Sequence, residues 1–445
     1  LGNAEPEAFI GVPKAHAARV ILGWGRATVR TTVTAGPRLF WGGHTLAQVE
    51  RRGASVQSRG FSSTSAEDMA AIVFTSGSTG PPKGVIYRHG TFIAQVNGIR
   101  DAYGIEPGEV NLPTFPLFAL FDPALGMTTV LPDMDPTRPA KVDPRKIIGP
   151  IEEHGVTTMF GSPALLDTVG RWGEEHGVTL PSLRRVISAG APVSPKVIER
   201  FQTMLTGDAA IHTPYGATES LPVATISSHE ILSETRHATD RGGGTCVGRP
   251  VDSIEAAVIR IDDEPISTWK EDLKVDEGEV GEIVVKGPQV SRAYYNAPDH
   301  DRLAKIMDGE AIRHRMGDLG FLDDRGRLWF CGRKTHRVQN SDGTFYTVPC
   351  ESVFNTHPDV YRTALVGVGA VGAQQPVLCV ELEPGVGASE EARIRSELLG
   401  LGGGFEHTKT IRTVLFHIGF PVDIRHNAKI GRTALASWAA PRISE

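Results

Sequence analysis

The stretch TSGSTGPPKGV, residues 75–85, decides the reading of this chain. Gly77 and Gly80 let the backbone turn back on itself and present amide groups to an anion. The hydroxyls of Thr75, Ser76, Ser78 and Thr79 add hydrogen-bond donors, and Lys83 adds a positive charge. Just upstream, residues 68–74 (DMAAIVF) read as a buried strand running into the loop, which is the context a phosphate cradle needs. The spacing is not GxxxxGK[ST], because the position five after Gly77 is Pro82. An ordinary P-loop NTPase is therefore disfavoured.

Outward from the loop, residues 91–103 read as a helix, and the middle of the chain then alternates. A strand is predicted over 157–160, a helix over 164–175, a strand over 185–188, a helix over 194–204 with Ser194 as its N-cap, and a strand over 209–212. Such alternation with short connections predicts parallel α/β layers. Between 247 and 329 the pattern changes to strands and turns, including 281–286 and 327–330. A third region begins near 335, with strands over 364–368 and 377–383 and a helix over 389–399. The boundary is placed at Gly332, Arg333 and Lys334, giving an N-terminal domain of residues 1–332 and a C-terminal domain of residues 333–445. Before the loop, a helix is predicted over 13–22 and a Ser-rich turn over 55–65.

Bulk properties exclude several function classes. The 445 residues are 40% apolar and 22% charged, as in globular proteins of two or three folded units. A net charge of −6 gives no reason to expect a nucleic-acid partner, because the phosphate backbone demands a basic face. The cysteines, Cys246, Cys331, Cys350 and Cys379, show no CxxC spacing; neither a zinc site nor a disulfide framework is expected, and a reduced, cytoplasmic setting fits. The first residues lack the order of a signal peptide. No apolar run reaches the ~20 residues of a membrane span; residues 115–131 are interrupted by Pro116, Asp122 and Pro123. There is no HExxH, and His314 and His336 are expected to be structural or exposed. The absence of GxSxG argues against a serine hydrolase. The glycine runs 242–244 and 402–404 read as mobile loops.

The loop resembles the phosphate-binding signature of the superfamily of acyl- and aryl-CoA synthetases, peptide-synthetase adenylation domains and luciferases, and further signatures follow in that family's order. SAGAP, residues 188–192, resembles the adenine-contacting turn, which implies nucleotide contacts at Gly190, Ala191 and Pro192. YGATE, residues 215–219, resembles the segment whose aromatic ring, here Tyr215 beside Gly216, lies on the adenine while Thr218 and Glu219 reach the phosphates and Mg²⁺. Residues 278–296 match a structural strand-turn segment of the family. The resemblance further implies that Asp318, in MGD, binds the ribose hydroxyls, that Arg333 belongs to the interdomain hinge, and that Lys429, in AKIGR, is the catalytic lysine. It covers residues 68 to the end and implies an α/β adenylate-forming fold. That fold has a large N-terminal domain of parallel and mixed sheets with a small β-barrel subdomain, and a small α+β C-terminal lid. ATP and Mg²⁺ are the implied cofactors.

The implied chemistry explains the residue types. A carboxylate attacking an anionic nucleotide brings two negative groups together, so positive charge is the first requirement. Glu219 would hold Mg²⁺ through oxygen, as a hard cation prefers. Lys429 would add a mobile charge; at ~4 Å and an effective dielectric of about 20 it contributes roughly 4 kcal/mol. That is about a thousandfold in rate.

Departures from the family pattern narrow the substrate. Where many relatives carry a His, residues 117–120 read LFAL, and Phe118 and Ala119 make an apolar lining suited to a long alkyl chain rather than an amino acid. Thr335 stands at a hinge position usually held by Asp or Lys. Only 74 residues precede the loop, fewer than in relatives, so the start of the N-terminal domain is expected to lie outside the chain. Residues 7–13, 22–25, 85–89, 115–127, 213–222 and 425–429 most resemble the β-lactone synthetases of bacterial long-chain olefin biosynthesis. That branch implies a 2-alkyl-3-hydroxy fatty acid that is adenylated with release of diphosphate. Its own 3-hydroxyl then displaces AMP and closes a lactone, a reaction aided by having the nucleophile in the same molecule. Other enzymes of that pathway are implied partners. The alternatives are a long-chain fatty-acyl-CoA ligase, a fatty-acyl-AMP ligase serving a separate carrier, and an inactive binding module. The presence of Glu219, Asp318 and Lys429 argues against the last.

Overall fold

The computed structural model describes residues 4–56, 60, 62–75, 82–422 and 429–443. Its spine is a sheet of 12 strands whose two halves follow different rules. Val110–Pro113, Thr128–Thr129, Thr158–Phe160, Arg185–Ile187 and Ala210–Ala217 pair in parallel. From Ala210–Ala217 the sheet continues antiparallel through Ser220–Ser227, Thr245–Pro250, Leu328–Arg333, Ala311–Leu322, Gly281–Lys286 and Glu255–Ile259. Lys305–Asp308 pairs with Ala311–Leu322 at the side. The alternating middle of the sequence thus forms the parallel half, and the strand-and-turn region forms the antiparallel half.

Helices Arg145–His154, Pro163–His176 and Pro195–Gln202 supply the apolar side chains that cover the parallel half, among them Ile147, Ile151, Leu165, Leu166, Ile198 and Phe201. Each is almost fully buried, a state that stabilises by roughly 1.5–3 kcal/mol per side chain. Ser162 caps Pro163–His176 by accepting the Leu165 amide at 3.4 Å. Ser194 occupies the cap position expected of it, in extended conformation, but its side chain makes no capping bond with the described residues.

The neighbourhood of the phosphate loop departs from the sequence reading. Residues 68–74 form the strand Met69–Phe74, yet it is half-exposed rather than buried, because it pairs with Gly84–Arg88 in a two-stranded sheet outside the central one. The sequence reading has no strand at Gly84–Arg88; at five residues, with Gly84, Val85 and Tyr87 buried and Ile86 and Arg88 half-buried, its alternation is too short and too irregular to stand out. The helix follows as His89–Tyr103. Near the N-terminus, Ala8–Gly11, Thr31–Thr34 and His44–Thr45 form a separate parallel sheet, and the helix predicted over 13–22 is Pro13–Leu22.

After Leu328–Arg333 the chain makes a turn, Lys334–His336, and then builds its own sheets. Val360–Val368, Gln375–Leu382 and Thr413–Phe416 form a three-stranded sheet whose faces follow strand alternation. Leu365, Leu378 and Val380 share a core with Phe354, Ile394 and Leu398, while Ala364, Val366, Val377 and Cys379 share one with Leu435 and Ala439. Gly402 and Gly403 are not a mobile loop: they close the helix Glu391–Gly403, where a Cβ on Gly402 would meet the Phe354 ring at 2.8 Å. All four cysteines are free and buried. His314 is buried, with its Nδ1 3.1 Å from the Ala304 carbonyl.

The junction is tightly built. Gly332 has φ +124°, and a Cβ there would lie 2.5 Å from Thr347 Oγ1. Lys334 Nζ donates to the Asp262 carbonyl at 2.8 Å and to Glu282 Oε2 at 3.0 Å. Glu282 also accepts from Arg315 Nη2 at 2.6 Å, and both side chains of that pair are buried. Removing one partner of a buried pair strands the other charge, at a cost of about 3–5 kcal/mol. Glu282→Ala is therefore expected to lower the unfolding free energy by that amount in chemical denaturation; a loss below ~1 kcal/mol would contradict the role drawn from the structure.

Candidate active site

Ligands of parallel sheets bind beyond the carboxyl ends of the strands. Here four neighbouring strands deliver their exits to one edge. Val110–Pro113 leads to the short turn Pro116–Leu120, Thr158–Phe160 to Gly161, Arg185–Ile187 to SAGAP, and Ala210–Ala217 to Thr218 and Glu219. Gly190 has φ +102°, which an L side chain adopts only with strain, and Gly190 and Ala191 are half-buried while Pro192 is exposed. The Ser188 hydroxyl is buried with no partner among the described residues.

Ala217 pairs with Ser220, so Thr218 and Glu219 are the two residues of a hairpin turn. Gly216 allows the approach: a Cβ there would sit 2.8 Å from the Ser220 carbonyl oxygen. The turn is held from below and from the side. Tyr87 Oη donates to the Thr218 carbonyl at 2.6 Å and accepts from Gln95 Nε2 at 3.2 Å. Tyr294 Oη donates to Glu219 Oε1 at 2.6 Å. Lys83 Nζ and Lys305 Nζ each lie over the Tyr294 ring, 5.3 Å from its centre. Thr75 and Lys83 close the neck of the loop: the Thr75 amide donates to the Lys83 carbonyl and the Lys83 amide to Thr75 Oγ1, both at 3.0 Å. Ser76, Gly77, Ser78, Thr79 and Gly80 lie outside the described residues.

A second cluster lies across the antiparallel half. Asp318 and Arg333 are partners on adjacent strands, and Arg333 Nη1 donates to Asp318 Oδ1 at 2.8 Å. Tyr215 Oη donates to Asp318 Oδ2 at 2.7 Å. The structure therefore brings Tyr215, Asp318 and Arg333 together, and separately Thr218, Glu219, Lys83 and Tyr294.

Electrostatics follow from this packing. Burial and the neighbouring Asp318 push the Tyr215 phenol well up, and burial and Glu219 do the same for Tyr294, so both hydroxyls stay protonated donors. Burial pulls the Lys305 ammonium down to about 8, against the opposing pull of Glu219 and Asp301. His314 is held well below its ordinary value by burial and by the Lys305 charge.

Phe118 lies on the turn Pro116–Leu120 with its ring stacked on Phe160 at 4.1 Å, and Ala119 beside it is half-buried. From Phe118 a row of rings runs to Phe121 at 6.5 Å, then Phe92 at 6.4 Å, then Tyr87 at 5.0 Å. This apolar row ends on the residue that supports Thr218. Sequence reasoning missed Tyr87, Phe92, Phe160, Tyr294 and Lys305; Tyr294 lay inside a segment read as purely structural.

Lys429 stands next to Ile430, which bridges to Val422. The segment is anchored by the Gly431 amide, which donates to the Pro421 carbonyl at 2.7 Å. Arg432 adds a half-buried grip, with Nη2 donating to Glu351 Oε2 at 2.9 Å and Nη1 to the Leu365 carbonyl at 3.1 Å.

Among the described residues no group of three or more His, Cys, Asp or Glu side chains could hold a metal ion. A lone carboxylate at Glu219 fits a hard cation that takes most of its oxygens from phosphate and water, as Mg²⁺ does. Among those residues no helix is long and apolar enough to cross a membrane.

A family model described as AMP-binding enzyme matches residues 2–295, well over half of the chain. The chain belongs to the AMP-binding enzymes. Among relatives of this AMP-binding enzyme, an olefin beta-lactone synthetase of Xanthomonas campestris pv. campestris is 53% identical over 99% of the chain and 79% of that protein. An olefin beta-lactone synthetase of Stenotrophomonas maltophilia is 51% identical over 100% of the chain and 80% of that protein. The fold is similar to that of an amide bond synthetase from Marinactinospora thermotolerans, with a TM-score of 0.79, 24% identity, and coverage of 99% of this chain and 81% of that one. The fold is thus the adenylate-forming α/β fold.

Asp318 is the common acceptor of Tyr215 and Arg333 and the residue through which the resemblance places the ribose. A bond to a charged group contributes about 1.5–3 kcal/mol. Asp318→Ala is expected to weaken ATP binding about tenfold to a hundredfold in calorimetric titration; unchanged affinity would exclude Asp318 from the nucleotide site.

Proposed function

We propose that the chain activates a long-chain 2-alkyl-3-hydroxy fatty acid as its acyl-AMP and closes the product to a β-lactone. The observation that carries this reading is the 53% identity, over nearly the whole chain, with an olefin beta-lactone synthetase. The layout of the site supports it. Polar and charged groups gather around Thr218 and Glu219, and an apolar row of rings begins directly beneath, at Tyr87.

In this mechanism the nucleotide lies over the strand exits, with Asp318 and Arg333 on the ribose side, Tyr215 and the 190–192 turn near the base, and Lys83 with residues 75–80 at the phosphates. Glu219 would hold Mg²⁺, which would supply positive charge to the phosphate oxygens. The fatty chain lies along Phe118, Ala119 and the neighbouring rings, leaving its carboxylate near Thr218. A carboxylate oxygen attacks the α-phosphorus and diphosphate leaves. Residues 333–445 act as a lid, and Lys429 brings positive charge to the forming bond. The substrate's 3-hydroxyl oxygen then bonds to the acyl carbon, the bond from that carbon to AMP breaks, and the hydroxyl proton passes to solvent. Holding the hydroxyl beside the carbonyl offsets part of the ring strain.

Incubation with a 3-hydroxy fatty acid, ATP and Mg²⁺, with and without CoA, tests the product. Lactone formed without CoA is the expected result, and a thioester formed solely in the presence of CoA would replace this reading with a CoA ligase. Lys429→Ala is expected to slow adenylation about a thousandfold in pyrophosphate exchange, the value of one nearby charge. An unimpaired variant would remove Lys429 from the reaction.

A further inference from the structure

The contacts around Glu219 form a closed circuit. The Ser291 amide donates to the Glu219 carbonyl at 2.8 Å. Ser291 in turn receives Lys305 Nζ at its carbonyl, at 2.6 Å, and at its Oγ, at 3.0 Å. Lys305 Nζ lies over the Tyr294 ring, and Tyr294 Oη returns to the Glu219 carboxylate at 2.6 Å. Main chain and side chain of the same acid are thus gripped by one short segment, residues 291–294.

Tyr294 is itself fixed from outside the circuit. Its amide donates to Asp301 Oδ1 at 2.8 Å, and the residue is 4% exposed. Tyr294 bridges to Val85, and the Tyr295 amide donates to the Gly84 carbonyl at 2.7 Å, which ties the segment to the strand leaving the phosphate loop. Lys83, at the base of that loop, lies over the same ring.

A carboxylate at the end of a glutamate side chain on a two-residue turn has several rotatable bonds. Ordering such a side chain costs conformational entropy, which a prepositioned donor removes before any ligand arrives. A neutral hydroxyl on one oxygen fixes the carboxylate plane and leaves the negative charge available to a cation, as partners of metal-holding groups do.

We propose that Tyr294 is a positioning residue: through its hydroxyl it holds Glu219 in the orientation that receives the nucleotide's metal, and Lys305, through Ser291 and the ring, holds Tyr294. This rests on the reading of Glu219 as the metal holder. The circuit also couples that acid to the phosphate loop, because both lysines and the loop's exit strand act on one ring.

The test is calorimetric titration of a non-hydrolysable ATP analogue into the protein, with and without Mg²⁺, for the parent, Tyr294→Phe and Glu219→Gln, alongside their melting temperatures. Tyr294→Phe keeps the ring and both lysine contacts. Its metal-free affinity is expected to match the parent and its melting temperature to drop by a few degrees, as the loss of one bond to a charged group requires, while the affinity gained on adding Mg²⁺ falls about tenfold or more. Glu219→Gln is expected to lose that gain as well. Should Glu219→Gln lose it while Tyr294→Phe keeps it in full, the positioning role is overturned and the metal role of Glu219 stands. Should Glu219→Gln keep it, both are overturned.

Discussion

The hydrogen bond from Tyr294 to Glu219 joins segments that are 75 residues apart in the chain, and much of the site's order depends on it. Glu219 is presented by a hairpin at the seam of the sheet, Tyr294 by an irregular stretch beyond the antiparallel half, and Lys83 by the neck of the phosphate loop. Three pieces of chain with no regular structure in common are thereby held to one geometry. A loose acid in a loop would have to be ordered by the nucleotide itself, at the cost of binding energy.

The sheet explains why the seam is the place for this. Parallel strands send their carboxyl ends to one edge, which collects the exits near Phe118, Gly161, SAGAP and Tyr215. Antiparallel strands turn back on themselves, and they bring Asp318 and Arg333 side by side within reach of the Tyr215 hydroxyl. The strand Ala210–Ala217 belongs to both halves, so residues following it face two sets of partners.

The junction at Gly332 combines closeness with restraint. The glycine lets Thr347 approach, while Lys334 reaches back to the buried Glu282–Arg315 pair. On the far side, the three-stranded sheet carries two cores, one per face, and Arg432 ties the segment after Lys429 to Glu351 beneath it. The segment that follows the lysine is therefore held by Gly431 and Arg432.

Local chemistry was enough to read the hydroxyl-and-glycine loop, and resemblance to the family supplied the other motifs. The hydroxyl-and-glycine loop, the YGATE, MGD and AKIGR segments and the α/β alternation each depend on residue types at short spacing, and these survive in one dimension. Strands shorter than about six residues, such as Gly84–Arg88, carry too few alternations to be read that way. The burial of Met69–Phe74 was misjudged for a related reason: apolar composition does not say whether a strand joins a large sheet or a small hairpin. Gly402 looked like part of a loop because glycine lowers helix propensity, but contact with Phe354 favours the smallest side chain at that place in the helix. The sequence by itself, through its resemblance to the adenylate-forming family, determined which groups are the candidates for meeting a nucleotide. Tertiary structure alone decided which of them share a hydrogen bond, because Tyr294, Lys305 and the aromatic row from Tyr87 to Phe160 are brought together by strand pairing across long separations, and no local pattern encodes that pairing.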